Sequence, residues 1–320
     1  MKKILVVALS IVVALGITSC GKGKKADYPK KGVTMICPWG AGGGTDAILR
    51  AVCSSAEKYL GTTITVENKT GGAGSIGYRA IKDAKPDGYT IGMITFELSS
   101  NPWQGLQDFT YEAYDPLLMV NTDAATITVK GDAPYNTLAE FVDYCKKNPG
   151  KVNIGNSAPG SVWHIAAGLF AAQAGIDVKH VPFEGAAGAV TAVAGGHIEA
   201  VSVSLAEVKS QLDAGNVKVL AIMDSKRPVA YPNIPTMKES GYDIEYGTWR
   251  GIGLPKGISK DIKDKLFDVF TKAMNDPDFI AAAKKLNQNI TYMDSEVFAT
   301  FLKTNYEGTG ATMKKLGLVK

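Results

Sequence analysis

Val33-Thr34-Met35-Ile36-Cys37-Pro38-Trp39-Gly40-Ala41-Gly42-Gly43-Gly44-Thr45-Asp46-Ala47-Ile48-Leu49-Arg50 carries a strand-like apolar run into a helix-like one through a turn with four glycines and no lysine. Glycine lets backbone N–H groups turn inward at a helix N-terminus, where unpaired donors and the helix dipole favour an anion. A nucleotide cradle of the GxxxxGK[ST] kind needs the lysine that is missing. The turn therefore reads as half of a site for a small carboxylate held mainly by backbone. A plain structural turn is the alternative.

The same strand-then-helix pattern continues outward. Residues 63–66 precede a Gly-rich turn and a helix through Ala84, and residues 89–94 read as the next strand. Residues 125–129 lead to a helix over Thr137 to Lys147. Then come Val152 to Ile154, a helix over 161–174, Val178 to Pro182, a helix over 186–194, Ile198 to Val203 and Val217 to Ile222. The tail from Ser259 to Leu316 reads as mainly helical, and the Pro- and Gly-rich stretch 227–257 reads as a crossing between domains. This alternation predicts an α/β chain with largely parallel sheets, and about 293 residues from Tyr28 onward predict two domains.

The first 19 residues have two lysines, an apolar run from Ile4 to Ile17 and a small-residue end, the layout of an export signal. That run is shorter than the ~20 residues a bilayer needs. Ile17-Thr18-Ser19-Cys20 resembles a bacterial lipobox, which implies cleavage before a lipidated Cys20 and a tether over 20–27. An ordinary cleaved signal with Cys20 as a thiol is the alternative. Five lysines and one aspartate precede Tyr28, so the body carries 30 basic and 30 acidic residues. The pI of 8.6 reports the ends of the chain, and no nucleic-acid partner is expected. Three cysteines remain, Cys37, Cys53 and Cys145, with no zinc-like spacing. Buried thiols are the favoured reading and a Cys37–Cys53 bridge the alternative.

Other motifs weigh less. Gly72 to Gly77 formally matches GxGxxG with an acid at Glu97, but in a chain with 35 glycines a tight turn and close helix packing explain it better than a dinucleotide. Ile154 to His164 forms a second anion-loop candidate ahead of a helix starting near Ser161, with His164 in its first turn as a ligand contact or a capping histidine. Pro159 breaks the GxSxG pattern of a serine hydrolase. His180 and His197 stand apart from paired acids, so neither metal, cofactor nor catalysis is expected. Phe183-Glu184 ends a strand before a small-residue helix, a place where α/β sheets receive ligands, with Phe183 in the core as the equal alternative.

Six stretches in order, YPKKGVTMICPWGAGGGTDAILR, VENKTGGAGSIGYRAIKDAKPDGYT, DFTYEAYDPLLMV, NPGKVNIGNSAPGSVWHIA, VPFEGAAGAVTAVAGGHIEA and YPNIPTMKESGYDIEYGTWRGIGLPKG, resemble the extracytoplasmic solute-binding receptors of tripartite tricarboxylate transporters, the Bug receptors. They span nearly all of residues 28–257. The resemblance implies a two-lobed, hinged fold of the periplasmic-binding-protein type (type II-like), each lobe a sheet flanked by helices. Lobe 1 would be 28–124 with 226–320 and lobe 2 125–225, the crossings near 121–127 and 222–228. It further implies a lipid-anchored, extracytoplasmic, non-enzymatic receptor that passes a small carboxylate or amino acid to a large and a small integral membrane subunit. Sensing for a signalling partner, or an exported hydrolase, are the competing functions.

Carried over by motif, Trp39 stands where the family packs an aromatic on the ligand. Gly42, Gly43 and Gly44 supply room and amides, Thr45 a hydroxyl, and Asp46 shapes the loop or meets a ligand donor. Ser157, Gly160, Ser161 and His164 form the second carboxylate-facing loop, and Phe183 and Glu184 a wall. Glu184 departs from the basic residue common there, which weighs against a multiply charged anion unless Arg250 or Lys209 neutralises it.

Overall fold

The computed structural model describes residues 28–319, so the expected signal peptide, the tether and Cys20 lie outside the described residues. Strand β1 (Val33–Cys37) is buried at four of its five positions, and the glycine turn after it feeds helix α1 (Gly44–Leu60). That helix ends at Gly61, whose φ of 79° is the left-handed cap glycine adopts without penalty. The chain returns as β2 (Ile64–Asn68), parallel to β1, and crosses over through α2 (Ser75–Lys82) to β3 (Thr90–Thr95) on the other side of β1. The glycine motif before α2 serves packing: a Cβ on Gly77 would stand 2.7 Å from Pro38 Cα and 2.8 Å from Lys69 O.

A one-turn helix, α3 (Glu97–Ser100), follows β3 and leads to the 17-residue strand β4 (Tyr114–Lys130). Helix α4 (Leu138–Lys147) starts at a capping box made by Thr137 and Glu140. Then β5 (Asn153–Asn156), α5 (Val162–Ala174), β6 (Lys179–Pro182), α6 (Ala186–Ala194) and β7 (Ala200–Ser204) build the second parallel group, β6-β5-β7. Helix α7 (Leu205–Asp213), β8 (Val217–Ile222) and β9 (Gly247–Pro255) follow, then α8 (Lys260–Met274), α9 (Pro277–Lys285), β10 (Asn289–Met293) and α10 (Ser295–Lys315).

The strands order as β2-β1-β3-β9-β4-β7-β5-β6, with β8 and β10 also on β4. The expectation of largely parallel sheets is corrected: every pairing of β4 and of β9 is antiparallel. The stretch 247–255, expected as part of a crossing, is instead a central strand buried at eight of nine positions. A strand covered on both faces loses the alternation that marks half-buried strands, which hides it from a periodicity reading. Strand β10 inside the helical tail was hidden differently, being short and mostly exposed.

Each half of the sheet has its own cover. Ile48, Leu49 and Val52 of α1 pack with Leu266 and Phe270 of α8 and Phe279 of α9 against the first half, each buried side chain contributing about 1.5–3 kcal/mol. Phe141 of α4 and Trp163 and Phe170 of α5 do the same for the second. Cys37, Cys53 and Cys145 are free thiols buried in these layers, and burial pushes Cys37 up to about 11 and Cys145 up to about 12.

The two halves meet at a narrow waist. Strand β4 pairs with β9 as far as Ala124 opposite Gly247, and from Ala125 it pairs with β7. There Ala125 N–H donates to Tyr246 O at 2.9 Å, Met223 N–H to Ala125 O at 2.7 Å, and Tyr246 N–H to Met223 O at 3.0 Å. The segment just before Gly247, expected with lobe 1, packs on the second half: Ile222 N–H bonds Pro235 O, Met237 N–H bonds Ile222 O, and Tyr242 meets Phe170 edge-on.

Candidate functional site

A cleft of about 130 Å³ opens where the C-terminal ends of β1, β3, β5, β6 and β7 converge. Ligand sites of open α/β sheets form at these ends because the following helices direct their N-termini there. Trp39, Gly43, Gly44, Thr45, Ser157 and Glu184 from the sequence reading line it. Gly42, Asp46, Gly160, Ser161, His164 and Phe183 are not brought to its wall; most of these hold the wall in place.

The glycine turn shows why. Gly42 (φ 80°) gives its N–H to Asp46 Oδ2 at 2.9 Å, and Asp46 also accepts from Arg50 Nε and Asn68 Nδ2. Burial pushes the Asp46 carboxyl up, but the bonds from Arg50, Gly42 and Asn68 outweigh it and hold it below the usual range. Gly43 caps α1 with extended backbone and no side-chain bond, leaving the helix N-terminus open toward the cleft. A Cβ on Gly44 would stand 3.3 Å from Arg250 Nη2 and 3.4 Å from Glu207 Cγ, so glycine keeps the cleft wall thin there.

The second loop is also mostly self-satisfied. Ser161 Oγ accepts from His164 N–H and caps α5, and Gly160 N–H donates to His164 Nδ1 at 2.8 Å. That acceptor role requires neutral imidazole. Burial, then the His180 ring 4.5 Å away, pushes His164 down to about 4. Phe183 lies against Gly155 and Gly188 as a packing residue.

Three charged residues that the sequence reading left out of the site line the cleft: Glu97, Glu207 and Arg250. Arg250 of β9 is 2% exposed and donates from Nε to Thr45 Oγ1 at 2.9 Å and from Nη1 to Asp123 Oδ2 at 2.6 Å. Asn121 links Asp123 to Gln288, whose Nε2 donates to Gly44 O. Lys209, the other cation considered, instead pairs with Asp213 and Tyr231. The one signal for Arg250 was a lone cation inside the apolar run 247–255, where charge is retained only if paired.

Glu97 is 3% exposed. Its Oε2 accepts from Thr95 Oγ1 at 2.7 Å, and its Oε1 accepts from Val162 N–H, at the first turn of α5, at 3.3 Å. Thr95 Oγ1 in turn accepts from Trp39 Nε1 and pairs with Tyr78 OH at 2.6 Å. A hydroxyl has one proton. With that proton on Glu97, the Tyr78 hydroxyl is the donor to Thr95, and both Glu97 oxygens act as acceptors. Glu207 closes a capping box on Ser204. Burial raises both Glu97 and Glu207 above the usual carboxyl range.

The family model described as "Tripartite tricarboxylate transporter family receptor" matches residues 48–318. The chain belongs to this family. The family is one of extracytoplasmic solute-binding receptors, and the fold is that of such receptors. A "UPF0065 protein in gbd 5'region" of Cupriavidus necator is 29% identical over 314 residues, 96% of this receptor and 94% of that protein. The solved structure of the periplasmic binding protein BugD is 31% identical with a TM-score of 0.86, covering 92% of this chain and all of that one. R. palustris Rpa4515 with adipate shares the fold at 22% identity and a TM-score of 0.86, covering 92% and 99%. Among the described residues no helix is long and apolar enough to cross a membrane, and no cluster of His, Cys, Asp or Glu is arranged to hold a metal ion.

Proposed function

We propose that this receptor captures a small carboxylate between two lobes, 28–124 with 247–320 and 125–246, and delivers it to a large and a small membrane subunit of a tripartite tricarboxylate-type transporter. The observation that carries the reading is the open, uncapped N-terminus of α1 beside buried Arg250 in a cleft lined from both halves of the sheet. A helix N-terminus contributes about 0.3–1 kcal/mol toward an anion, up to ~2 when partly buried. Micromolar binding needs about −8 kcal/mol. Closure of the lobes around the ligand supplies the difference, by removing water from several amide and hydroxyl bonds at once, and makes the loaded shape recognisable to a partner. Adipate in Rpa4515 supports a carboxylate as the ligand class.

The test is a thermal-shift screen of carboxylates followed by calorimetry, since a ligand at 100 times its dissociation constant stabilises by about 2.7 kcal/mol. Gly43→Val, which puts a branched side chain at the α1 cap, abolishes that shift in a folded protein. A screen in which no carboxylate shifts the melting temperature rejects the reading. Anchoring through a lipidated Cys20 belongs to the same proposal: Cys20→Ala moves the protein to the soluble fraction or blocks maturation, and wild type that takes up no labelled fatty acid rejects it.

A further inference from the structure

The strongest unassigned feature of the cleft is a protein carboxylate seated where a ligand carboxylate belongs. The helix N-terminus of α5 is the second anion-receiving end at the site, facing α1 across it. Part of that end is already used: Val162 N–H by Glu97, His164 N–H by Ser161, and the preceding Gly160 N–H by His164. Glu97 comes from the β3 side of the sheet and reaches this helix across the gap between the two halves. Resting on the receptor reading above, we infer that Glu97 takes the place of a second ligand carboxylate, so that with Glu184 and Glu207 it makes this cleft selective for a zwitterion, an amino acid with one carboxylate and a cationic amine.

Charge accounting points the same way. The cleft wall carries Glu97, Glu184, Glu207 and Arg250, and the guanidinium of Arg250 is already matched by buried Asp123. The other titratable groups nearby do not alter this balance: Asp46 and Arg50 pair with each other, while Tyr78 and Tyr246 are neutral phenols raised by burial. A dianion would add like charges to a site that already holds three carboxylates. A zwitterion places its carboxylate at the open α1 N-terminus beside Arg250 Nη2, and its ammonium among acceptors. Glu207 Cγ, 3.4 Å from the Cβ position of Gly44, lies against that same α1 end, within reach of an ammonium one carbon removed from the carboxylate. Both Glu97 oxygens already accept hydrogen bonds, which fits an anion better than an acid proton donor.

The experiment is calorimetry on the folded wild-type receptor between pH 5 and 7, in two buffers of different ionisation enthalpy. L-alanine, L-serine, L-threonine and L-asparagine are each compared with the matching 2-hydroxy acid, and with malonate, succinate and citrate. The expected result is at least one amino acid bound 100-fold or more tightly than its hydroxy acid and than every di- or tricarboxylate, without proton uptake on binding. Glu97→Gln, and separately the exposed Glu184→Gln, reduce that preference at least tenfold, and retained thermal unfolding shows that each variant is folded. A dicarboxylate that binds more tightly than all four amino acids, with proton uptake, overturns this inference and leaves the receptor reading intact, because Glu97 or Glu207 would then act as a protonated donor to a second carboxylate. Absence of binding by every compound overturns both.

Discussion

Replacing Arg250 with methionine removes one side of an ion pair whose partners are 2% and 4% exposed and 2.6 Å apart. The remaining Asp123 would keep only Asn121 Nδ2, at 3.1 Å, as a side-chain donor. Breaking a buried pair from one side costs about 3–5 kcal/mol, because the surviving charge stays desolvated. At about 2 °C per kcal/mol for a domain of this size, the ligand-free melting temperature falls by about 6–10 °C. Asp123→Asn alone is costly for the mirror reason. The double variant contains no unpaired charge, so it recovers a large part of the loss, with a coupling energy of at least about 2 kcal/mol. Ligand affinity does not recover, since the cation facing Gly44 is absent in both. Urea titrations of the wild type, both single variants and the double variant measure the cycle, and calorimetry measures binding. Single-variant costs that simply add, or an Arg250→Met protein that melts like the wild type, would refute the claim that this pair couples the glycine turn to the centre of the sheet.

Gly44→Ala keeps the helix, where alanine is the better former by about 0.5–1 kcal/mol, but presses on Arg250 and Glu207; affinity drops at least tenfold in calorimetry, and an unchanged constant counts against the placement of the ligand at this wall. Gly247→Ala puts a Cβ into Asp123 O and within 2.8 Å of Ala124 Cα, backbone that cannot yield, so urea unfolding shows a loss of about 2–3 kcal/mol. Thr137→Ala removes one side of the α4 capping box and costs about 1 kcal/mol by the same measurement. The raised carboxyls of Glu97 and Glu207 hold their protons more tightly folded than unfolded. The contribution of these two groups to ligand-free stability is therefore fully present below the ordinary carboxyl pKa and is lost as pH rises through the raised values. Glu97→Gln flattens that slope in urea midpoints, and a slope that Glu97→Gln leaves unchanged contradicts the burial assignment.

The parallel parts of the fold were legible in the sequence because their signals are local. Each βα unit shows an apolar run, a glycine or serine turn and a helical stretch within about thirty residues, and α4, α5 and α6 begin within a residue or so of their expected starts. The glycine turn and Ser157 could be placed at the cleft for the same reason, since strand ends and helix starts are adjacent in the chain. Gly42 and His164 could not be separated from true wall residues by type or spacing. Whether an N–H is free or already bonded to Asp46 or His164 depends on side-chain rotamers within a folded loop.

What only the tertiary structure decided was everything carried between distant segments. Strand β9 carries Arg250 into contact with Thr45, 205 residues away, and with Asp123, 127 residues away. Glu97 reaches Val162 across 65 residues. The waist joins residues 125, 223 and 246 through backbone hydrogen bonds. Central strands buried on both faces leave no alternation to read, and a buried charge is tolerated at a position only through the partner that long-range pairing brings to it. The sequence thus determined the βα units around the glycine and serine turns and the family of the receptor, while the charge balance of its cleft exists only once antiparallel β4 and β9 have been inserted between the two parallel groups.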